Sequence, residues 1–149
     1  MATAPAEIVS TSLQEALADL IDLSLQGKQA HWNVHGPHFR SVHLQLDTVI
    51  DDVRIWSDDV AERLVTLGGT PDGRAGTVAT SSQVEKIDGG PLSSDKVVRQ
   101  FAERLTAAAA RINEHLPALD SEDLLTQDLL IDVARGLEKH AWMFRAAEG

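Results

Sequence analysis

Four side chains of the segment Lys28–Gly69 share one side of a predicted helix and could bind a metal ion. His43 and Asp47 are four residues apart, and so are Asp58 and Glu62, so each pair lies on one helical face. At about 100° per residue, the three carboxylates lie within about 100° of the histidine. Imidazole and carboxylate together suit iron, zinc or manganese. A solvated acidic face is the alternative interpretation of the same pattern.

The spacing of the two pairs indicates a site that is shared between two chains. Asp47 and Asp58 are eleven residues apart, which is about 16 Å along a helix, whereas metal–ligand bonds are about 2 Å long. The two pairs are symmetric about a point between Asp52 and Val53. An antiparallel partner helix that crosses at this point would place the first pair of one chain opposite the second pair of the other, and it would create two equivalent sites.

A fifth candidate ligand, His31, lies in the helix that precedes this one. Ser10, Thr11 or Ser12 could cap that helix, which is predicted to run to about Val34. His31 falls on its core-facing side, where a lone histidine is more often a hydrogen-bonded core residue. The short turn that follows brings it toward His43, and this proximity favours a metal ligand.

These residues closely resemble the Dps miniferritins. The resemblance is specific in the run KQAHWNVHGPHF and in the acidic pair within DDVAERLVTLGG, and it extends in outline over the whole chain. In that family a ferroxidase centre is shared between two subunits, with histidines and an aspartate from one and an aspartate and a glutamate from the other. The resemblance implies that iron binds at His31, His43, Asp47, Asp58 and Glu62, with Trp32 near the site.

The resemblance also implies a function and an assembly. Iron(II) would be oxidised, in this family typically by hydrogen peroxide, and stored as ferric mineral in a hollow shell of twelve subunits built from two-fold dimers. This would protect the cell against oxidative damage. A DNA-compacting protein with a secondary metal-binding role is the alternative, but that activity usually relies on a lysine-rich tail. Here the first basic residue is Lys28, and only Arg145 follows Trp142, which argues against direct DNA binding.

The fold predicted from the helical patterns is all-α. It is a ferritin-like four-helix bundle with a long crossover, carrying a short helix, between the second and third helices. The predicted elements are a second helix over Pro37–Leu67, a crossover over Thr70–Pro91 with a short helix at Val78–Val84, a third helix from Ser93 or Ser94 to Leu116 before Pro117, and a fourth over Ser121–Ala147. A ferritin with an intrachain di-iron site would carry Glu-x-x-His pairs, and no glutamate of the chain has histidine three residues later.

Three acids of the fourth helix could have a separate role. Asp123 lies in or before the first helical turn, where an acid is favourable to the helix dipole. Asp128 and Asp132 are four residues apart on one face and too far along the helix for the dipole to explain. Their placement resembles that of the acids that line the iron-entry pores of the Dps shell.

Composition sets the remaining expectations. Residues 1–149 are predicted to form a single ferritin-like domain with a flexible lead at 1–9. There is no cysteine, no run of 18 apolar residues and no signal-peptide pattern, which favours a soluble cytoplasmic protein without a membrane span. The net charge of −10 opposes attraction to DNA and suits the concentration of cations. Sequence alone does not distinguish peroxide from dioxygen as oxidant, or iron from competing zinc or manganese.

Overall fold

Within residues 3–148 the protein forms four long helices, and a short helix lies in the connection between the second and the third. The computed structural model describes residues 3–148. Its elements are α1 (Glu7–Asn33), β1 (Val34–His35), α2 (Phe39–Thr66), α3 (Ala75–Ser81), β2 (Leu92–Ser93), α4 (Ser94–Leu119) and α5 (Leu124–Ala147). The predicted all-α bundle with a helix-bearing crossover is confirmed. In the part of the chain that is described, no helix is long and apolar enough to cross a membrane.

The core lies between two helical hairpins. Helix α1 packs along α2, and α4 packs along α5, because each long helix carries apolar residues at the three- and four-residue spacing that gathers them on one side. The largest fully buried side chains of the core come from all four long helices and from β2: Leu13, Leu20, Leu23, Leu46, Ile50, Leu92, Phe101, Leu105, Leu119, Leu130, Leu137 and Phe144.

Glycines permit close approach at two of the helix contacts. A Cβ atom on Gly27 of α1 would lie 2.7 Å from Cγ1 of Ile50 on α2, so a larger residue there would push the two helices apart. At the contact between α2 and α5, a Cβ on Gly136 would overlap the indole ring of Trp56. Trp56 therefore serves packing.

Polar bonds fix the crossover to the bundle. Arg104 of α4 is buried, and its guanidinium donates to the carbonyl oxygens of Glu85 and Lys86, both at 2.8 Å. The backbone N–H of Gln83 donates to Asp19 of α1 at 2.8 Å. At the far end, β1 and β2 form a short parallel pair. These bonds satisfy backbone groups that a long loop would otherwise leave to water.

The first helix begins earlier than predicted. It starts at Glu7, three residues before the earliest predicted cap, and no side chain caps it. The prediction of a flexible lead is therefore wrong for residues 7–9, while residues 1–2 lie outside the described part. The reason is burial, because Val9 is only 3% exposed and packs into the core as part of the first turn.

The other boundaries differ by a few residues. Helix α3 lies at Ala75–Ser81 rather than at Val78–Val84, because the backbone becomes extended at Ser82. Helix α4 continues through Pro117 to Leu119, which is completely buried. Helix α5 begins after Asp123, whose side chain caps it, and not at Ser121. In contrast, α4 is capped by Ser93, one of the two serines predicted for that role.

Candidate metal centre

Two histidines join the end of α1 to the start of α2. His31 Nδ1 lies 2.8 Å from the carbonyl oxygen of His43, and His43 Nδ1 lies 2.8 Å from the carbonyl oxygen of His31. The imidazole rings stack with their centroids 3.6 Å apart, and Phe39 stacks on the outer side of His43. The pair thus closes the corner between the helices by two reciprocal hydrogen bonds.

This arrangement determines which nitrogen of each ring could bind a metal ion. A carbonyl oxygen can only accept a hydrogen bond, so Nδ1 of both His31 and His43 must carry the proton. In a neutral imidazole the other nitrogen, Nε2, then has a free lone pair. Metal-binding histidines commonly donate their second N–H to a backbone carbonyl, which fixes the orientation of the ring. Both histidines have this arrangement.

Asp47 lies beside the histidine pair and is held by a lysine. Its Oδ1 accepts a hydrogen bond from Lys28 Nζ at 2.7 Å and lies 3.5 Å from His31 Nδ1. The pKa of Asp47 lies below its ordinary value, and the hydrogen bond from Lys28 is the largest cause. Partial desolvation acts to raise this pKa, and nearby positive charges lower it further. Asp47 is therefore an ionised acceptor at neutral pH. The role of Lys28 is not apparent from the sequence, although this residue lies three residues, about one helical turn, before His31.

Asp58 and Glu62 lie farther along α2 and are exposed. Their side chains make no hydrogen bond or ion pair within residues 3–148, in contrast to Asp47. Eleven residues of helix separate Asp58 from Asp47, about 16 Å. Consistent with this separation, no three His, Asp or Glu side chains of the described chain lie close enough together to hold a metal ion. One chain therefore brings the predicted ligands together as two separate groups.

Large apolar side chains are exposed on the same two helices. Trp32, which directly follows His31, is 70% exposed, and Leu25 of α1 is 57% exposed. On α2, Leu44 and Ile55 are 47% and 59% exposed. Both lie on the stripe of α2 that carries Asp58 and Glu62, because positions 44, 48, 51, 55, 58 and 62 follow one another at three- and four-residue steps. Several exposed apolar residues around polar groups are typical of a protein interface.

The three acids of α5 do not share one environment. Asp123 caps the helix, accepts a hydrogen bond from Thr126 at 2.6 Å and pairs with Arg63 of α2 at 2.8 Å. Partial burial acts to raise its pKa, but the bonds from Thr126 and Arg63 outweigh burial and hold the pKa below its ordinary value. Asp128 and Asp132 are exposed, and among the described residues Asp132 pairs only with Arg135 one turn away.

Two histidines that look unremarkable in the sequence have partners on other helices. His140 of α5 is 4% exposed, and its Nε2 lies 2.6 Å from Asp52 Oδ2 of α2. His115 of α4 lies 2.6 Å from Glu15 of α1. Neither partner is visible in the sequence, because no pattern within one helix reveals a contact across the bundle.

Comparison with known proteins identifies the family. The ferritin-like domain matches residues 11–147 of this chain. The DNA protection during starvation protein 2 of Deinococcus radiodurans is 36% identical over 91% of this chain, although the match covers only 56% of that protein. The major subunit of the fine tangled pili of Haemophilus ducreyi is 34% identical over 98% of this chain and 77% of its own.

A solved structure gives the same result for the fold. The crystal structure of Dps92 from Deinococcus radiodurans superposes with a TM-score of 0.92 and 34% identity, covering 94% of this chain and 85% of that one. The ferritin-like class is thus defined by both sequence and fold. Within that class, the chain belongs to the Dps miniferritin family.

Proposed function

We propose that this protein oxidises iron(II) and stores the ferric product, at centres shared between two subunits. His31, His43 and Asp47 of one subunit, with Asp58 and Glu62 of another, would form each centre. The observation that carries the proposal is the reciprocal bonding of His31 and His43, which leaves the lone pair of each Nε2 available, with the ionised carboxylate of Asp47 3.5 Å from His31 Nδ1. That donor set is typical of transition-metal binding.

The separation of the two ligand groups supports the sharing of a centre. Asp47 and Asp58 are equidistant from the point between Asp52 and Val53, so an antiparallel two-fold crossing there would bring unlike groups together twice. The exposed side chains of Trp32, Leu25, Leu44 and Ile55 would be buried by the same contact. Burial of large apolar side chains is the usual driving force of association.

The donor set also accounts for the chemistry. Three carboxylates around the ion would favour iron(III) over iron(II), because they offset the additional positive charge. Two iron(II) ions can each supply one electron to hydrogen peroxide, and consuming both reactants together would suppress hydroxyl radical formation. Zinc and manganese fit the same donor types and would compete. The name of the Deinococcus relative refers to protection of DNA, and removal of peroxide with iron(II) is a route to that result which needs no DNA contact.

The assembly belongs to the same proposal. Twelve copies would form a hollow shell in the cytoplasm, and Asp128 and Asp132 would line its iron-entry pores. Asp123 is the weaker candidate for a pore, because its carboxylate is already occupied by Arg63, Thr126 and the start of α5. The net charge of −10 would attract cations to such a shell and oppose direct DNA compaction.

Iron(II) titration with hydrogen peroxide tests the proposal. The purified protein is expected to elute as a large oligomer and to keep the oxidised iron in solution, with ferric absorbance that co-elutes with the oligomer. The matched control carries Asp59→Asn, which removes an exposed acid of α2 that lies outside the ligand set and off the stripe of Asp58 and Glu62. It should behave as the unchanged protein does. If the protein instead elutes as a small species and the ferric iron precipitates, the proposals of iron storage and of a large assembly are both wrong.

A further inference from the structure

Met143 is the one sulfur-containing side chain within residues 3–148, because the chain has no cysteine and its other methionine is Met1. It lies in the last turns of α5, partly buried, between exposed Trp142 and buried Phe144. Its Sδ lies 3.5 Å from Nε2 of Gln45 on α2, and the amide donates a hydrogen bond to the sulfur. A thioether is a weak acceptor, so this amide N–H is poorly satisfied.

We propose that Met143 is a site of oxidation by hydrogen peroxide and that Gln45 binds the resulting sulfoxide oxygen. A lone pair of Sδ attacks one peroxide oxygen, the O–O bond breaks, and the other oxygen leaves as water after proton transfer. The sulfur loses two electrons and the peroxide gains them. The products are one methionine sulfoxide and one water molecule.

The position of the side chain explains why this oxidation is tolerated. Sulfoxide formation in an apolar core is disruptive because it introduces a polar group without a partner. Met143 instead lies at the edge of the contact between α2 and α5, with an amide donor already directed at the sulfur. The sulfoxide oxygen is a stronger acceptor than the thioether, so oxidation replaces a long contact by a better hydrogen bond.

The reaction goes beyond the proposed function. It consumes peroxide without iron, and it uses neither of the two ligand groups of the candidate metal centre. Gln45 lies on α2 between His43 and Asp47, but its amide is directed at α5 rather than at α1. Failure of one activity is therefore separable from failure of the other.

The test uses the assembled protein, freed of iron with a chelator and treated with hydrogen peroxide. Peptide mass spectrometry is expected to find about 16 Da, one oxygen atom, added at Met143. The Tm of the oxidised protein should stay within about 1 °C of the untreated value. In Gln45→Leu and Gln45→Ala, which remove the donor, oxidation at Met143 should instead lower the Tm by about 2–4 °C, since the sulfoxide oxygen then lacks a partner.

Met143→Leu is the matched control, in which peroxide should change neither the mass of that peptide nor the Tm. An unmodified Met143, under conditions that oxidise free N-acetylmethionine, would overturn the proposal. So would a loss of Tm on oxidation that is as large in the unchanged protein as in the Gln45 variants. If neither Gln45 variant folds, the Tm shift of the unchanged protein against Met143→Leu decides: a fall of several degrees overturns the proposal and a constant Tm supports it.

Discussion

The two ligand groups of α2 differ in how the chain holds them. His43 is fixed by His31 through two hydrogen bonds, and Asp47 is fixed by Lys28. Asp58 and Glu62 extend from the same helix toward solvent, with no side-chain partner among the described residues. The first group is therefore oriented by folding alone, at the corner where α1 turns into α2. The second group has a fixed backbone and free side chains.

The difference suggests a division of roles. A preorganised group loses little side-chain entropy when it binds an ion, whereas free carboxylates must be ordered at that moment. In the proposed dimer each centre combines one fixed group with one free group. The same contrast recurs on α5, where Asp123 is held by Arg63 and Thr126 while Asp128 is exposed. Loss of a fixed residue should affect stability, and loss of a free one should affect function alone.

The largest expected effect comes from removing one whole group. Alanine at both His43 and Asp47, or at both Asp58 and Glu62, should reduce peroxide-dependent iron oxidation to the background rate. Every centre of the homo-oligomer then lacks one of its two groups. The first variant should also lose stability, because it lacks the ring of His43 that stacks on His31 and the ion pair between Lys28 and Asp47. The second should fold as the unchanged protein does, and thermal unfolding measures that difference.

Reassembly of the two variants together tests whether the groups meet across subunits. After unfolding, mixing and refolding, each mixed dimer has one centre with both groups and one with neither. Random pairing makes about half of the dimers mixed, so activity should return to about a quarter of the unchanged value. Zero recovery, in oligomers shown by mass spectrometry to contain both chains, would mean that each centre is built within one chain.

A smaller effect is expected from Lys28→Met. The lysine ammonium occupies an oxygen of Asp47 that a metal ion would need. Its loss lets the pKa of Asp47 return toward 3.8, so the carboxylate is still ionised at neutral pH and only the competing cation is removed. Zinc(II), a probe without redox chemistry, should bind about tenfold more tightly, a difference of about 1.4 kcal/mol. Calorimetric titration measures it, with Lys139→Met as the matched control. Weaker binding would mean that Lys28 positions Asp47 rather than competing for it.

The helical bundle and the family could both be predicted from the sequence, for a physical reason. Helical periodicity and the serines at the start of α4 are local signals, and local signals determine long helices. The same signals fail at Glu7 and at Pro117. There the buried residues of the terminal turns, Val9 and Leu119, extend the helices past the expected boundaries.

The candidate site was predicted only in part. The ligand types and their spacing are visible in the chain, and their role stays a prediction. The tautomers of His31 and His43, and the ion pair between Lys28 and Asp47, depend on how α1 packs against α2. These contacts join residues 12 and 19 positions apart, and no periodicity within one helix encodes them. His140 and Asp52, 88 residues apart, were missed for the same reason.

The smallest expected effects separate the acids of α5. Asp123→Asn keeps the shape of the cap but leaves Arg63 without its counter-charge. It should cost about 1 kcal/mol at pH 7 and lower the Tm by about 2–4 °C. Because the folded pKa of Asp123 lies below the ordinary value of 3.8, its stabilisation is complete above that pH and is lost as the pH falls through the folded pKa. The Tm difference between the two proteins should therefore shrink in scans made well below pH 4.

Asp128→Asn combined with Asp132→Asn is the matched comparison on the same helix. The two exposed carboxylates contribute little to stability, so the Tm should stay within about 1 °C at either pH. If these acids line an entry path, iron uptake should slow severalfold, because each entry pore would lose its attraction for cations while the ligand groups on α2 stay intact. Stopped-flow ferric absorbance measures uptake. Equal slowing by Asp123→Asn would contradict the division into fixed and free residues, since its carboxylate is already committed to Arg63. Unchanged uptake in the double variant would mean that Asp128 and Asp132 have no role in iron entry and belong to an ordinary solvated helix face.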